Sequence, residues 1–347
     1  MQPLQFDNPQ KPGLASVVIP TKNGERFIGA ALNSIGSQIY TNWEVIVIED
    51  GSTGLTESIV REFASRYPNN HVRYQRQPES KGAAYTRNAA FTVASGEWVA
   101  FLDCDDRWLP SHLDTCIRKL NETEEDIAYS SAIMCEDGTD HVLAAWGPTR
   151  SEVADFPQSI FGRSFVTPSA TVVRRSVIEE VGSWNTNCRY CEDAEFFLRA
   201  AQIGKKFRYI GGVHCLYRKN HDGATTQGIA GTLEEYATIS EWFIGMPDTK
   251  RTHCRKMVAI SFALAAKMHA KNNENTDPSV TRSRAAGLYF KAWKLYPKRI
   301  RYLFYGCYFA MKYRMSVNAN LPKKNESPAA AFSSLATQTD TKRSVAA

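Results

Sequence analysis

Two short runs near the start of the chain, SVVIP (16–20) and EVIVIED (44–50), are almost wholly apolar and rich in β-branched residues. Runs without polar alternation predict strands buried on both faces, as in a parallel sheet. Between them, from Arg26 to Ser37, Phe27, Ile28, Ala31, Leu32 and Ile35 recur at the spacing of one helix face. Thr56 to Tyr67 repeats the helical pattern and VRYQRQ (72–77) the strand pattern, followed by a helix over Lys81 to Ala94 and a strand at EWVAFLD (97–103). Strand and helix alternating in this way predict a doubly wound α/β sheet. From 127 to 225 the pattern is mixed, with IAYSSAIM, SATVVRR, a helix near Glu192–Ala201 and FRYIGGVHCLYR extending or flanking that sheet. Beyond Thr226 it becomes helical over Lys250–Lys271, Arg282–Tyr296 and Ile300–Met315. The organisation read from these patterns is a flexible N-terminus (1–13), an α/β domain (14–226), a helical C-terminal region (227–320) and a disordered tail (321–347).

Composition narrows the classes. A chain of 347 residues holds one large domain with an accessory segment. No stretch reaches the roughly 18–20 apolar residues of a membrane span. The N-terminus, MQPLQFDNPQKPG, lacks the apolar core of a secretory signal, so the expected location is the cytoplasm. Eight dispersed cysteines read as reduced thiols, and the pair Cys188 and Cys191 has no second pair to complete a zinc site. The net charge of +6 is unevenly spread: residues 228–347 carry 19 Lys and Arg against 8 Asp and Glu, leaving the first 227 residues at −5.

Three acidic clusters stand out, two of them directly after apolar runs. Glu49-Asp50-Gly51-Ser52-Thr53 comes directly after a buried strand, where a turn is needed and where ligands bind in open α/β sheets. Asp103-Cys104-Asp105-Asp106 puts three mutually repelling carboxylates within four residues, a pattern that suits either a solvated acidic loop or, as its place at the end of a hydrophobic strand favours, a hard divalent cation. Glu192-Asp193 opens a helix, where the two acids either oppose the helix dipole or supply a general base.

The ordered set SVVIPTKNGERFIGAALNSI, EVIVIEDGST, KGAAYTRNAAFTVASGEWVAFLDCDD, RRSVIEEVGSWN and CEDAEFFLRA resembles the family 2 glycosyltransferases, which have the GT-A fold. The likeness runs from about Ala15 to Thr226. It implies a Rossmann-like nucleotide-binding sheet flanked by helices, and an inverting, metal-dependent transfer from a nucleotide-diphosphate sugar donor to a glycan or lipid-linked acceptor. Mn²⁺ or Mg²⁺ is the implied cofactor. By position, Pro20, Thr21, Lys22 and Asn23 would line the nucleotide pocket and Asp50 would hydrogen-bond the base. Gly82 and Arg87 would lie near the nucleotide diphosphate, Asp103 and Asp105 would form the D-x-D pair at ribose and metal, and Asp106 could replace either. Asp193 matches the general base, and His221, with Arg218, resembles an R-x-H element reaching metal or diphosphate.

The chain departs from the family pattern at Glu49, where aspartate is more usual, at Gly54, where an acid often stands, and at Lys22, where a base-stacking tyrosine is frequent. A sugar-nucleotide-binding module without catalysis would lack the D-x-D or the Glu-Asp acids. A nucleotidyltransferase would need a basic glycine-rich loop, and PTKNGERF is a poor one. Over 291–314, Lys and Arg alternate with Trp, Tyr and Phe, a composition that suits either an anionic membrane surface or helices packed on the catalytic domain. No signature supports nucleic acid as a partner.

Overall fold

The computed structural model describes residues 6–219, 228–271 and 278–319. The alternation read from the sequence appears as β1 (Lys11–Thr21), α1 (Ile28–Gly36), β2 (Trp43–Glu49), α2 (Thr56–Arg66), β3 (Val72–Arg76), α3 (Ala83–Val93) and β4 (Gly96–Phe101). These four strands are parallel neighbours in the order β3-β2-β1-β4, with Val17 against Val45 on one side and Ala100 on the other. Their apolar character has the predicted cause, because every residue of β2 is buried. On one face Val17, Ile19, Val45 and Val47 pack with Ile28, Leu32 and Ile35 of α1 and with Val60 and Phe63 of α2.

The sheet does not continue as a doubly wound parallel array. Beyond β4 come β5 (Arg107–Trp108), α4 (His112–Glu122), β6 (Ile127–Glu136), β7 (Val142–Trp146), a short α5 (Arg150–Ala154), β8 (Thr171–Arg174), α6 (Arg175–Val181), α7 (Glu192–Gln202) and β9 (Phe207–Lys219). The order runs on from β4 as β8-β6-β9-β5, with β8 antiparallel to both β4 and β6. Strand β9 runs parallel to β6 over most of its length with register shifts, near where Gly211 and Gly212 take positive φ. The result is one mixed sheet of nine strands among the described residues.

The first compact unit extends to Ala265. Its last part is α8 (Ile229–Trp242) and the start of α9 (Arg251–Lys271). Helix α8 is tied into the α/β core: the Tyr236 hydroxyl donates to the Ile160 carbonyl, and Glu235 accepts backbone N–H groups from residues 189–191. Residues 6–13, within the N-terminal segment expected to be flexible, make contacts with the same unit. Asp7 donates its N–H to the Thr92 carbonyl, Arg175 bonds the Asn8 carbonyl and stacks on Phe6, and β1 begins at Lys11. A pattern search misses this because the anchors are backbone groups and one aromatic ring, with no periodicity. The second unit contains α10 (Pro278–Leu295) and α11 (Arg301–Ala319). The tail expected to be disordered, 321–347, lies outside the described residues.

Candidate active site

The carboxyl ends of β1, β2 and β4 meet at a cleft of about 650 Å³. Of the residues singled out in the sequence, Pro20, Thr21, Lys22, Asp50, Gly82, Arg87, Asp103 and Asp105 line it. Asn23, Asp106 and Asp193 are not among the lining residues, and His221 lies outside the described residues.

Asp50, just past β2, is 4% exposed and holds the segment that enters α3. Its carboxylate accepts the Lys81 N–H at 2.7 Å, the Gly82 N–H at 3.0 Å and the Ser80 hydroxyl at 2.6 Å. In this state those oxygens shape the cleft wall rather than point to a free pocket. Lys22 reaches the same Ser80 hydroxyl from β1's end at 3.0 Å. Backbone geometry makes the approach possible: Gly51 has φ +77°, and a Cβ there would stand 2.5 Å from the Ser80 nitrogen. Asn23 takes a positive φ and donates its N–H to Ser52 and Glu49. Burial lifts the Glu49 carboxyl above its ordinary range, and the hydrogen bonds from Thr56 and Asn23 offset only part of that rise.

Arg87, on α3, is the buried cation of the site. It donates to Asp103 at 2.6 Å and to Glu192 at 2.9 Å, and its guanidinium lies over the Trp184 ring at 4.6 Å. Burial opposes its charge, but Asp103 and Glu192 outweigh that, and Arg87 is held above the usual guanidinium range. Asp103 is pushed up by burial, pulled down by Arg87 and pushed up again by Asp105.

Asp105 faces the cleft, whereas Asp106 turns inward. Asp106 is 1% exposed and accepts the Arg218 N–H at 3.0 Å, and burial beside Asp105 and Asp103 raises its carboxyl well above the usual range. Asp106, expected as a stand-in for either acid of the D-x-D pair, thus lies behind the cleft wall in this structure. Arg218 also holds the Asp105 carbonyl at 3.0 Å and Asp137 at 3.0 Å, so β9 buttresses the acidic loop. At α7, Glu192 lines the cleft; Asp193 accepts the Ala194 N–H, and burial beside Glu192 raises its carboxyl to about 7.

Pattern reading missed Ser80, Lys81, Thr186–Tyr190, Tyr217 and Lys219, all of which line the cleft. Residues 186–190 form an irregular loop and carry no periodic signal. Lys219 was hidden at the end of a strand; burial lowers its pKa, while Asp106 and Asp105 oppose that shift.

No cluster of three or more His, Cys, Asp or Glu placed to hold a metal occurs among the described residues. Two of the cleft's carboxylates, Asp103 and Asp105, nonetheless fit Mg²⁺ or Mn²⁺, which are commonly bound by one or two carboxylates with substrate phosphates completing the shell.

Residues 16–182 match the family model described as Glycosyl transferase family 2. Among curated proteins, the Escherichia coli UDP-Glc:alpha-D-GlcNAc-diphosphoundecaprenol beta-1,3-glucosyltransferase WfgD is 34% identical over 34% of this chain and 45% of its own length. The putative teichuronic acid biosynthesis glycosyltransferase TuaG of Bacillus subtilis is 33% identical over 36% of this chain and 50% of its own. The chain thus spans about half the length of these relatives. Among solved structures, S. aureus TarS 1-349 in complex with UDP-GlcNAc superposes with a TM-score of 0.63 at 18% identity, covering 87% of this chain and 92% of that one. The Pyrobaculum calidifontis mannosyltransferase PcManGT in complex with GDP-Man and Mn²⁺ gives 0.57 at 19% identity, covering 90% of each. At those identities the superpositions speak to the fold, which is of the GT-A type. Fold and sequence agree: the chain carries a glycosyl transferase family 2 domain.

Proposed function

We propose that the cleft transfers a sugar from a nucleotide-diphosphate donor to a hydroxyl of a glycan or lipid-linked acceptor, with inversion, in surface polysaccharide or glycoconjugate assembly. The observation that carries this reading is the convergence of Asp103, Asp105, Arg87 and Glu192 on one cleft beside the segment held by Asp50. Lys22, Lys81, Arg189, Arg218 and Lys219 add positive charge to the same walls, as a diphosphate requires. Mn²⁺ or Mg²⁺ held by Asp103 and Asp105 would supply Lewis-acid stabilisation of the departing diphosphate. Asp193 is the base in this reading. A carboxyl near 7 is half-ionised at neutral pH, and takes a proton best in that range. It would accept the acceptor hydroxyl's proton as that oxygen bonds to the anomeric carbon and the bond to the diphosphate breaks on the opposite face. Arg87 acts through Asp103 and Glu192, fixing both carboxylates. The named chemistry of WfgD and the ligands of TarS and PcManGT support the donor class, without selecting the nucleotide or the sugar.

Calorimetric titration of UDP, GDP and TDP, with and without Mn²⁺, tests the reading. One nucleotide should bind at least tenfold more tightly with Mn²⁺, and Asp105→Ala should abolish that gain. Failure of all three to bind with metal present sinks it.

A further inference from the structure

The second compact unit carries a surface that the catalytic reading does not use. Helices α10 and α11 form a pair whose inner contacts are aromatic: Tyr289 lies 5.2 Å from Tyr305 and stacks on Phe309 at 5.8 Å. Gly306 permits the close approach, since a Cβ there would meet the Phe290 ring at 2.9 Å. These contacts use the α11 face that contains Phe309 and Gly306, with Tyr302 also buried.

The opposite face is apolar and exposed. Phe304, Tyr308, Met311 and Met315 follow one another at spacings of four, three and four residues, which places them within one narrow stripe of the helix. Phe304 is 67% exposed, Met311 58% and Met315 64%. Arg301 and Lys312 flank the stripe on one side and Arg314 on the other, as the helical period dictates. Residues 278–319 contain nine Lys and Arg and no Asp or Glu.

We propose that this face of α11 seats on an anionic lipid bilayer surface. Phe304, Tyr308, Met311 and Met315 would enter the boundary between headgroups and acyl chains, while Arg301, Lys312 and Arg314 meet the phosphates. Charge decides between this occupant and a second copy of the chain. A second copy of the same face brings cations against cations, whereas a bilayer of anionic lipids complements both the stripe and its flanks. No helix among the described residues is long and apolar enough to cross a membrane, so the contact lies in the interface plane.

The test is vesicle co-sedimentation of the full chain, which needs no catalysis and stands apart from the transfer reading. Vesicles of phosphatidylglycerol and phosphatidylcholine are compared with phosphatidylcholine alone. The full chain should partition at least tenfold more strongly onto the anionic vesicles, and less so at high salt. Phe304→Glu with Met311→Glu should lose that binding more than tenfold while circular dichroism stays unchanged, because both side chains are already exposed. Arg301→Gln with Arg314→Gln should weaken the preference for anionic lipid. Equal binding to both vesicle types, or binding unaffected by either pair of substitutions, overturns the proposal. A dimer in solution that Phe304→Glu disrupts, without vesicle binding, would overturn it in favour of a second copy.

Discussion

Arg87 and Asp103 form an ion pair of 2.6 Å in which the cation is 3% exposed, and the same guanidinium also holds Glu192 at 2.9 Å. One side chain from α3 thereby fixes an acid at the end of β4 against an acid at the start of α7, 105 residues apart from Arg87 in sequence. Removing one partner of a buried pair leaves uncompensated charge, which costs about 3–5 kcal/mol. Arg87→Met should therefore lower the stability measured by urea unfolding by that order and abolish metal-dependent nucleotide binding. Arg87→Lys keeps the charge but has no fork to span two carboxylates, so it should fall between wild type and Met. Stability of Arg87→Met within about 1 kcal/mol of wild type would show that the pair is not energetically linked.

Asp193 has opposite effects on stability and on activity as pH changes. Its folded value, about 7, exceeds its unfolded one, so the native state keeps the extra proton between roughly pH 4 and 7. Stability therefore falls as pH rises through that window. Transfer should rise through the same window, because a base must be unprotonated. Asp103 and Asp106 are shifted in the same direction and contribute to the same fall. Asp193→Asn should remove its share of the fall, up to a few kcal/mol between pH 5 and 8. Urea unfolding at those two pH values checks this, and an unchanged difference would refute the raised value.

Gly51 and Gly82 both have positive φ, yet alanine should affect them differently. A Cβ at Gly51 stands 2.5 Å from the Ser80 nitrogen and 2.6 Å from the Glu79 carbonyl carbon, both backbone atoms. One at Gly82 meets nothing within 4 Å. Gly82→Ala should cost only the strain of its conformation, φ +91° with ψ 166°, about 1–3 kcal/mol. Gly51→Ala adds displacement of Glu79 and of residues 80–82, which Asp50 holds, and should also weaken nucleotide binding at least tenfold. Paired thermal melts and titrations separate the two effects, and equal losses in both variants would contradict the steric argument.

What was legible in the sequence follows from where periodicity and chemistry coincide. The parallel core was readable because β1, β2 and β4 are buried on both faces and so carry long apolar runs. The cleft's acids were readable because Asp50 and Asp103 directly follow those runs. Helix α4 was legible in principle, because Leu113, Cys116, Ile117 and Leu120 form a buried stripe at helical spacing. The antiparallel placement of β8 was not readable. Four residues, TVVR, fix neither direction nor neighbour, and pairing with both β4 and β6 is a tertiary choice. The wall formed by 186–190 was invisible for a different reason, because an irregular loop is positioned by what it touches.

Glu235 is what that loop touches. From α8 its carboxylate accepts the N–H groups of Arg189 at 2.8 Å, Tyr190 at 2.6 Å and Cys191 at 2.9 Å. Three donors on one carboxylate pin the residues immediately before Glu192 and Asp193, at the point where α7 begins. The Tyr190 ring is seated in the space left by Gly228 and Gly231, where a Cβ would stand within about 3 Å of it. Glu235→Gln replaces one accepting oxygen by an NH₂ group that faces N–H donors. Leaving such a donor unsatisfied costs about 1–3 kcal/mol, so the melting temperature should drop. Because Glu235 touches the loop and not the Asp50 or Asp103 side of the cleft, turnover should fall several-fold more than nucleotide affinity. A variant that loses affinity and turnover equally would assign Glu235 to general stability. One that loses turnover alone, with a shifted pH profile, would assign it to placing the Glu192-Asp193 pair.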